Sequence, residues 1–302
     1  MAFFSKNGHL GVLDFSKTFL KYAVVTSKGG RPRVVDVKRI YRSRYRDADP
    51  VEVIERYAAH IFPAHRKNGV LPSQIHLAFG DPYVKTKIVF FEHKRRKPSS
   101  KVKEGELEEL REAAKRKSVD ERDWRNDARN TSYFFLNPWF ESFFLNGYEI
   151  PNPLGMGAEN IRAEMLLAAV DAQVVISLQR ALSAYGFNSF RFFAAPLLLT
   201  KHVAPFLDHK SGLVVDIGGE TTTILFLSNG FPRSVIVYDN GSEKINKSLA
   251  QEMHLTPQQA EETKRDGVAG VLPKGEQTVF LDIASRVARE WARGFLETLT
   301  HT

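Results

Sequence analysis

The chain has 302 residues, 43% of them hydrophobic and 11% aromatic, and carries a formal net charge of +8. Such a length outgrows one ordinary core and points to two lobes, while the apolar share excludes a wholly disordered chain. The absence of cysteine excludes a disulfide framework, a thiolate metal site and a cysteine nucleophile, and the cationic balance leaves acidic partners open: a nucleotide, an anionic lipid surface, a nucleic acid or an acidic peptide.

Apolar residues alternate and cluster over residues 9–14, 19–25 and 33–41, with turn formers at 27–32, which predicts three short strands in a meander. After Asp49-Pro50, a helical stripe is formed by Val51, Ile54, Tyr57, Ala58 and Ile61, with Asp49 as N-cap. Residues 74–79 and 84–91 read as strands. Residues 93–103 carry Lys94, Arg95, Arg96, Lys97, Lys101 and Lys103 and read as an exposed basic loop. Strong helix formers fill 104–117, and the polar stretch 118–132 reads as loop. Apolar runs return at 133–136 and 140–145, followed by a turn at 152–157. A strand is predicted at 161–169, an amphipathic helix at 172–185 closed by Gly186, a strand at 190–194 and a helix from Pro196 to Pro205. Residues 213–216, 221–227 and 233–238 predict a second meander, with helices at 243–253, 256–264 and 278–299.

The sharpest motif is Leu213-Val214-Val215-Asp216-Ile217-Gly218-Gly219-Glu220-Thr221-Thr222-Thr223, a strand ending in a carboxylate, a diglycine turn and a hydroxyl-rich strand. Glycines let a turn aim its N–H groups outward, and such a turn is a nest for phosphate oxygens. Asp216 at the strand end can hold Mg²⁺ through water, and Thr221 and Thr222 can add hydroxyl contacts. Alone, the motif equally describes an ordinary Gly-Gly hairpin, and it is neither a Walker loop nor a dinucleotide fingerprint. A second hairpin of similar shape, Gly11-Val12-Leu13-Asp14-Phe15-Ser16-Lys17-Thr18, precedes an apolar strand containing Lys21. Two such hairpins favour a phosphate gripped from both sides.

The pair resembles the two phosphate loops of the actin, heat-shock-chaperone and sugar-kinase superfamily. That resemblance implies an α/β, actin-like two-lobe fold binding ATP and Mg²⁺. Asp14 and Asp216 would be the metal-side carboxylates, and Ser16, Lys17, Thr18, Gly218, Gly219, Thr221 and Thr222 would surround the phosphates. Ser16 stands where the first loop usually has glycine, and Lys17 compensates with charge.

Within the superfamily, Tyr148-Glu149-Ile150-Pro151-Asn152-Pro153-Leu154-Gly155-Met156-Gly157, followed by Ile161-Arg162-Ala163-Glu164-Met165, is similar to the N-P-x-G-x-x-G segment of the small α+β subdomain inserted in FtsA. The last glycine falls one position early. Asn240-Gly241-Ser242-Glu243-Lys244-Ile245 loosely resembles the family's G-G-x-x-x-T turn, which brings Gly241 to the site. Ala260-Glu261-Glu262-Thr263-Lys264 resembles the A-E-x-x-K element that contacts the nucleoside, which implies roles there for Glu261 and Lys264.

The implied organisation is a first lobe opening at 1–97, an inserted subdomain with a charged linker at 98–190, a return to the first lobe with an interlobe helix at 191–211, and a second lobe at 212–302. The second lobe is expected to be incomplete, because family members continue past such a last helix into a strand, a glycine-rich adenosine turn and an amphipathic membrane helix. The function implied is an FtsA-like scaffold at the cytoplasmic face of the cell membrane. It would bind ATP, self-associate through the insert and link the division tubulin FtsZ to the membrane, with hydrolysis slow or absent because no general base is evident. A PilM-like adaptor of pilus or secretion assembly is the alternative, and a small-molecule kinase of the same fold is a third.

Other features take plainer readings. Met1 to Leu10 has no sustained apolar stretch and does not read as a signal peptide, and no apolar run approaches the roughly 20 residues of a spanning helix. The basic loop could steer the chain to acidic lipid or nucleic acid, but a solvated loop is the simpler reading. The aromatics Tyr133, Phe134, Phe135, Trp139, Phe140, Phe143 and Phe144 are expected to pack inside the insert. The last helix, with Val279, Ile283, Val287, Trp291 and Phe295 on one stripe, is expected to pack on its lobe. Nine histidines show no zinc spacing.

Overall fold

The structure, a computed structural model, describes residues 8–16, 18–28, 31–41, 50–62, 72–80, 83–120, 132–136, 140–207 and 211–300. β1 (His9–Phe15), β2 (Phe19–Lys28) and β3 (Arg31–Tyr41) form an antiparallel meander. β4 (Gln74–Phe79) and β10 (Ser189–Ala194) add parallel strands, giving the order β10-β4-β1-β2-β3. β2 and β3 extend further than expected. Ser27 pairs with Pro32 and Lys28 with Arg31, since backbone groups extend the ladder rather than go unpaired.

One face of this sheet is covered by α1 (Pro50–Ile61) and α3 (Ala172–Ser183). Val53, Ile54 and Ile61 from α1, with Val175, Leu178 and Leu182 from α3, close over Leu13, Phe15, Leu20, Ile75, Leu77 and Phe79. Asp171 caps α3 through the Gln173 N–H at 2.8 Å. The N-cap expected at Asp49 lies outside the described residues.

The insert is a second sheet centred on β9 (Asn160–Asp171). β5 (Lys85–Lys94), β6 (Tyr133–Phe135) and β7 (Phe140–Leu145) pair with β9, and β8 (Tyr148–Ile150) pairs with β7. The sequence grouped β5 with the first lobe, yet it pairs with β9 from end to end. The physical reason is that both edges of β4 are already taken by β1 and β10. Helix α2 (Glu104–Asp120) runs past the predicted end, so Ser118 is a buried helical residue and not loop. Its core joins Leu107, Leu110 and Ala114 to Val89, Phe143, Ile161, Ala163 and Met165. The aromatic cluster divides: Phe143 is buried, Phe134 reaches out to Phe192 with ring centroids 5.4 Å apart, and Trp139 lies outside the described residues.

The second lobe begins after α4 (Ala195–Val203) and a 3₁₀ turn (Ala204–Phe206). β11 (Gly212–Ile217), β12 (Thr222–Ser228) and β13 (Phe231–Tyr238) repeat the meander. The β12–β13 turn is Asn229-Gly230 with φ of 54° and 77°, the left-handed pair that a two-residue hairpin demands. α5 (Glu243–Glu252), α6 (Pro257–Ala269) and α7 (Lys274–Thr300) pack together through Leu249, Ala260, Phe280, Ile283 and Val287. α7 docks on its lobe as expected, with one change of stripe: Phe280 is buried and Val279 exposed. Trp291 fixes the far end, donating from Nε1 to Thr222 at 3.0 Å. No helix among the described residues is long and apolar enough to cross a membrane.

One buried base on β4 gives the fold a pH dependence. His76 sits beside Phe193, and burial, assisted by the Arg191 charge, pushes its pKa down to about 4. The unfolded imidazole binds a proton below its ordinary value near 6.5, whereas the folded one resists until about 4. Stability is therefore expected to fall as pH drops across that window. Urea titrations at stepped pH check this, and His76→Gln should flatten the slope.

Candidate functional site: the interlobe cleft

The loop ending β1 and the loop ending β11 face each other across one cleft of about 480 Å³. Asp14, Ser16, Thr18 and Lys21 line it from the first lobe; Asp216, Gly218, Gly219, Thr221, Thr223 and Ser242 line it from the second. The loops touch: a side chain on Gly219 would collide with that of Thr18, so only glycine permits the approach. Ser16 holds its own turn, its hydroxyl donating to the Phe19 carbonyl at 3.0 Å and accepting the Phe19 N–H at 3.2 Å. Lys17 lies outside the described residues.

The second loop is stitched to the start of α5. Gly218 O accepts from Ser242 N at 3.0 Å and Gly219 O from Glu243 N at 2.7 Å. Gly241 makes this possible, because a Cβ there would run into the Gly218 and Gly219 carbonyls. An adjoining cavity of about 580 Å³ opens beside Gly219 and Gly241 and carries Lys244 and Lys247. The positive end of α5, Lys247 and Lys244, itself paired with Glu290 at 2.8 Å, thus flank the loop in a cavity shared with Glu220, Asp239 and Glu243, and these cationic groups are the ones suited to anionic oxygens.

Electrostatics mark Asp216 out. Burial holds its carboxyl above the usual carboxylate range, Asp14 pushes it the same way, and Lys21 opposes both. Asp14 is itself paired with Lys21 at 2.9 Å. Two carboxylates of like charge sharing a cleft are a chemically suitable oxygen set for a hard divalent cation. Among the described residues no group of three or more acidic, His or Cys side chains is arranged to hold a metal ion. A magnesium ion here would thus rely on Asp14 and Asp216, with water and ligand oxygens completing its shell.

The remaining expected residues go elsewhere. Thr222 is fully buried, its hydroxyl donating to Asn240 O at 2.7 Å and accepting from Trp291. It alternates with Thr221 and Thr223, so the strand turns it from the cleft. Glu261 and Lys264 line neither cavity. They pair with each other at 2.6 Å, and Glu261 also meets Arg39 of β3 at 3.2 Å. Around them, Tyr41 donates to Glu243 at 2.6 Å, while Asn246 Nδ2 lies 2.8 Å from Glu243 and 2.9 Å from Glu261. The edge of the first lobe is therefore bolted to α5 and α6 by a buried polar network.

Sequence reasoning missed Arg39, Tyr41, Asn246, Lys244 and Lys247. Arg39 had one readable trace. Asp14 is opposite Lys21 and Lys21 opposite Arg39, one cross-strand row of charge that becomes visible once register is known. A second tie joins the other side of the cleft to the insert. Arg233 on β13 pairs with Glu164 of β9 and, at 3.2 Å, with Glu149 of β8.

The chain is similar in architecture to the solved PilM–PilN type IV pilus biogenesis complex, with 17% identity, a TM-score of 0.62, and coverage of 96% of this chain and 76% of that one. The fold is actin-like. At this identity the likeness is one of fold alone. Weaker likenesses include the ethanolamine utilization protein EutJ from Carboxydothermus hydrogenoformans, at 13% identity and a TM-score of 0.47, covering 97% of this chain and 72% of that one. MreB 5 of Spiroplasma citri bound to AMPPNP shows 11% identity and a TM-score of 0.43, covering 99% and 80%. No protein-family model and no curated protein matches the sequence.

Proposed function

We propose that this protein is a nucleotide-binding actin-like scaffold whose inserted subdomain engages a partner in a membrane-associated assembly. The observation that carries the reading is the meeting of Asp14 and Asp216, from two equivalent hairpins, in one cleft edged by glycine loops and a helix N-terminus. ATP with Mg²⁺ suits that chemistry: carboxylates for the ion, backbone N–H groups and Lys244 or Lys247 for phosphate. Nucleotide acts as a conformational ligand, shifting the lobes by its differential affinity for their arrangements. The Arg233 tie passes that shift from the second lobe to the insert.

Two versions of the scaffold remain supported about equally. The N-P-L-G-M-G segment favours an FtsA-type role, in which the insert mediates self-association and the chain links FtsZ to the membrane. The shared architecture with the PilM–PilN complex favours a pilus adaptor that binds a PilN-type partner. A kinase is the third reading; it would need Glu220, which lines the cleft beside Asp14 and Asp216, to act as the base.

Calorimetric titration of the whole chain with ATP and Mg²⁺ should show one saturable site, and absence of binding by ATP, ADP and AMPPNP alike would sink the reading. Co-sedimentation with FtsZ polymers, set against capture by a PilN-type cytoplasmic segment, separates its two versions.

A further inference from the structure

The basic loop of the insert is not the loosely solvated segment its composition suggests. Arg95, expected to be exposed, is only 5% exposed and organises the turn from within. Its guanidinium grips Glu106 through two nitrogens at 2.6 and 3.0 Å and donates to the Ser100 and Ala158 carbonyls at 2.8 and 3.1 Å. A second loop is sewn alongside. Val102 N donates to Met156 O at 2.8 Å, and Gly155 N donates to Val102 O at 3.0 Å.

The paired loops display two kinds of side chain together. Arg96, Lys97, Lys101 and Lys103 are exposed and have no ion pair among the described residues. The acidic neighbours are engaged elsewhere: Glu106 with Arg95, Glu104 with Arg111 and Glu159 with Lys94. On the adjoining loop stand Leu154 and Met156, 41% and 45% exposed, on a turn where Gly155 takes φ of 80°.

We propose that these two loops form a docking surface for an anionic bilayer, the four cations meeting lipid headgroups while Leu154 and Met156 enter the interface. Exposed cations beside exposed apolar tips, on loops whose backbones are hydrogen-bonded together, match a surface that is negative outside and apolar beneath. An acidic peptide fits less well, since it would meet the cations but leave the exposed Leu154 and Met156 without an apolar partner. This inference concerns a surface away from the interlobe cleft and does not depend on nucleotide.

The test is sedimentation of the whole chain with phosphatidylcholine vesicles, with and without phosphatidylglycerol, over a range of salt. Binding is expected with phosphatidylglycerol only, and it should weaken as salt rises. Reversing Arg96, Lys97 and Lys101 to Glu should weaken it roughly a hundredfold, each cation near an anionic surface being worth about a fivefold factor. Leu154→Ser with Met156→Ser should remove the part of the binding that survives high salt. Circular dichroism should show all variants folded, as none of the five side chains is buried. Equal binding by wild type and charge-reversed protein would overturn the proposal, as would retention on polyglutamate or RNA without retention on vesicles.

Discussion

Asp216→Asn is expected to melt at a higher temperature than the wild type and yet to lose magnesium-dependent nucleotide binding. The folded carboxyl has a raised pKa because it is buried and faces Asp14. A raised group favours the fold while protonated, so its contribution is complete below the unfolded pKa and is lost as pH rises through the folded one. At neutral pH the ionised side chain is therefore a cost, and a neutral amide of the same shape removes it. The cost is worth keeping only where a cation neutralises the pair, as strained and like-charged groups at functional sites commonly are. Affinity for ATP in Mg²⁺ should drop at least about tenfold, the factor corresponding to roughly 1.4 kcal/mol. Thermal melts with and without Mg-ATP, paired with calorimetry, read both effects. A variant that melts lower, or binds ATP as before, would remove Asp216 from the site.

The second large effect is structural and lies in the insert. Arg95→Ala should destabilise the chain by about 3 kcal/mol, the scale for breaking a buried, hydrogen-bonded ion pair by removing one partner. It strips donors from the partly exposed Glu106 carboxylate, from Ser100 O and from the buried Ala158 O. Pairing the change with Glu106→Leu should recover part of the loss, because no carboxylate is then left behind. Urea unfolding of the single and double variants decides it; a single-variant loss well under 1 kcal/mol would show the loop holds itself without Arg95.

Much of this architecture was open to reading from residue order. Both meanders, the strand at 74–79 and the helices of the second lobe follow from apolar period and from Gly, Pro and Asp punctuation, which are local properties. The paired hairpins with Asp14 and Asp216 were equally legible, since a carboxylate at a strand end before a glycine turn is a local arrangement. Short β8 was passed over, although Asn146-Gly147, with φ of 50° and 88°, marks its hairpin. Its three residues offer too little alternation to register.

Non-local facts were beyond reach. The alternation that places Thr221 and Thr223 in the cleft also turns Thr222 into the lobe, but which face was inward depended on α7 and its Trp291. Glu261 and Lys264 carried the right residue types for a ligand, but they pair with each other, and it is the approach of β3 that also engages Glu261 with Arg39. Residues 222 positions apart meet there, a separation no local pattern encodes.

The order of amino acids by itself settled two matters: that the chain would fold as repeated strand–turn–strand units with covering helices, and that two of its turns would carry a carboxylate beside small residues. Periodicity and turn chemistry act over a few residues, so they are written along the chain. Only the tertiary structure decided that those turns share a cleft, that β5 joins the insert because both edges of β4 are filled, and that Arg95 is interior while its basic neighbours are not. Those outcomes depend on which edges and partners remain available once distant segments have packed.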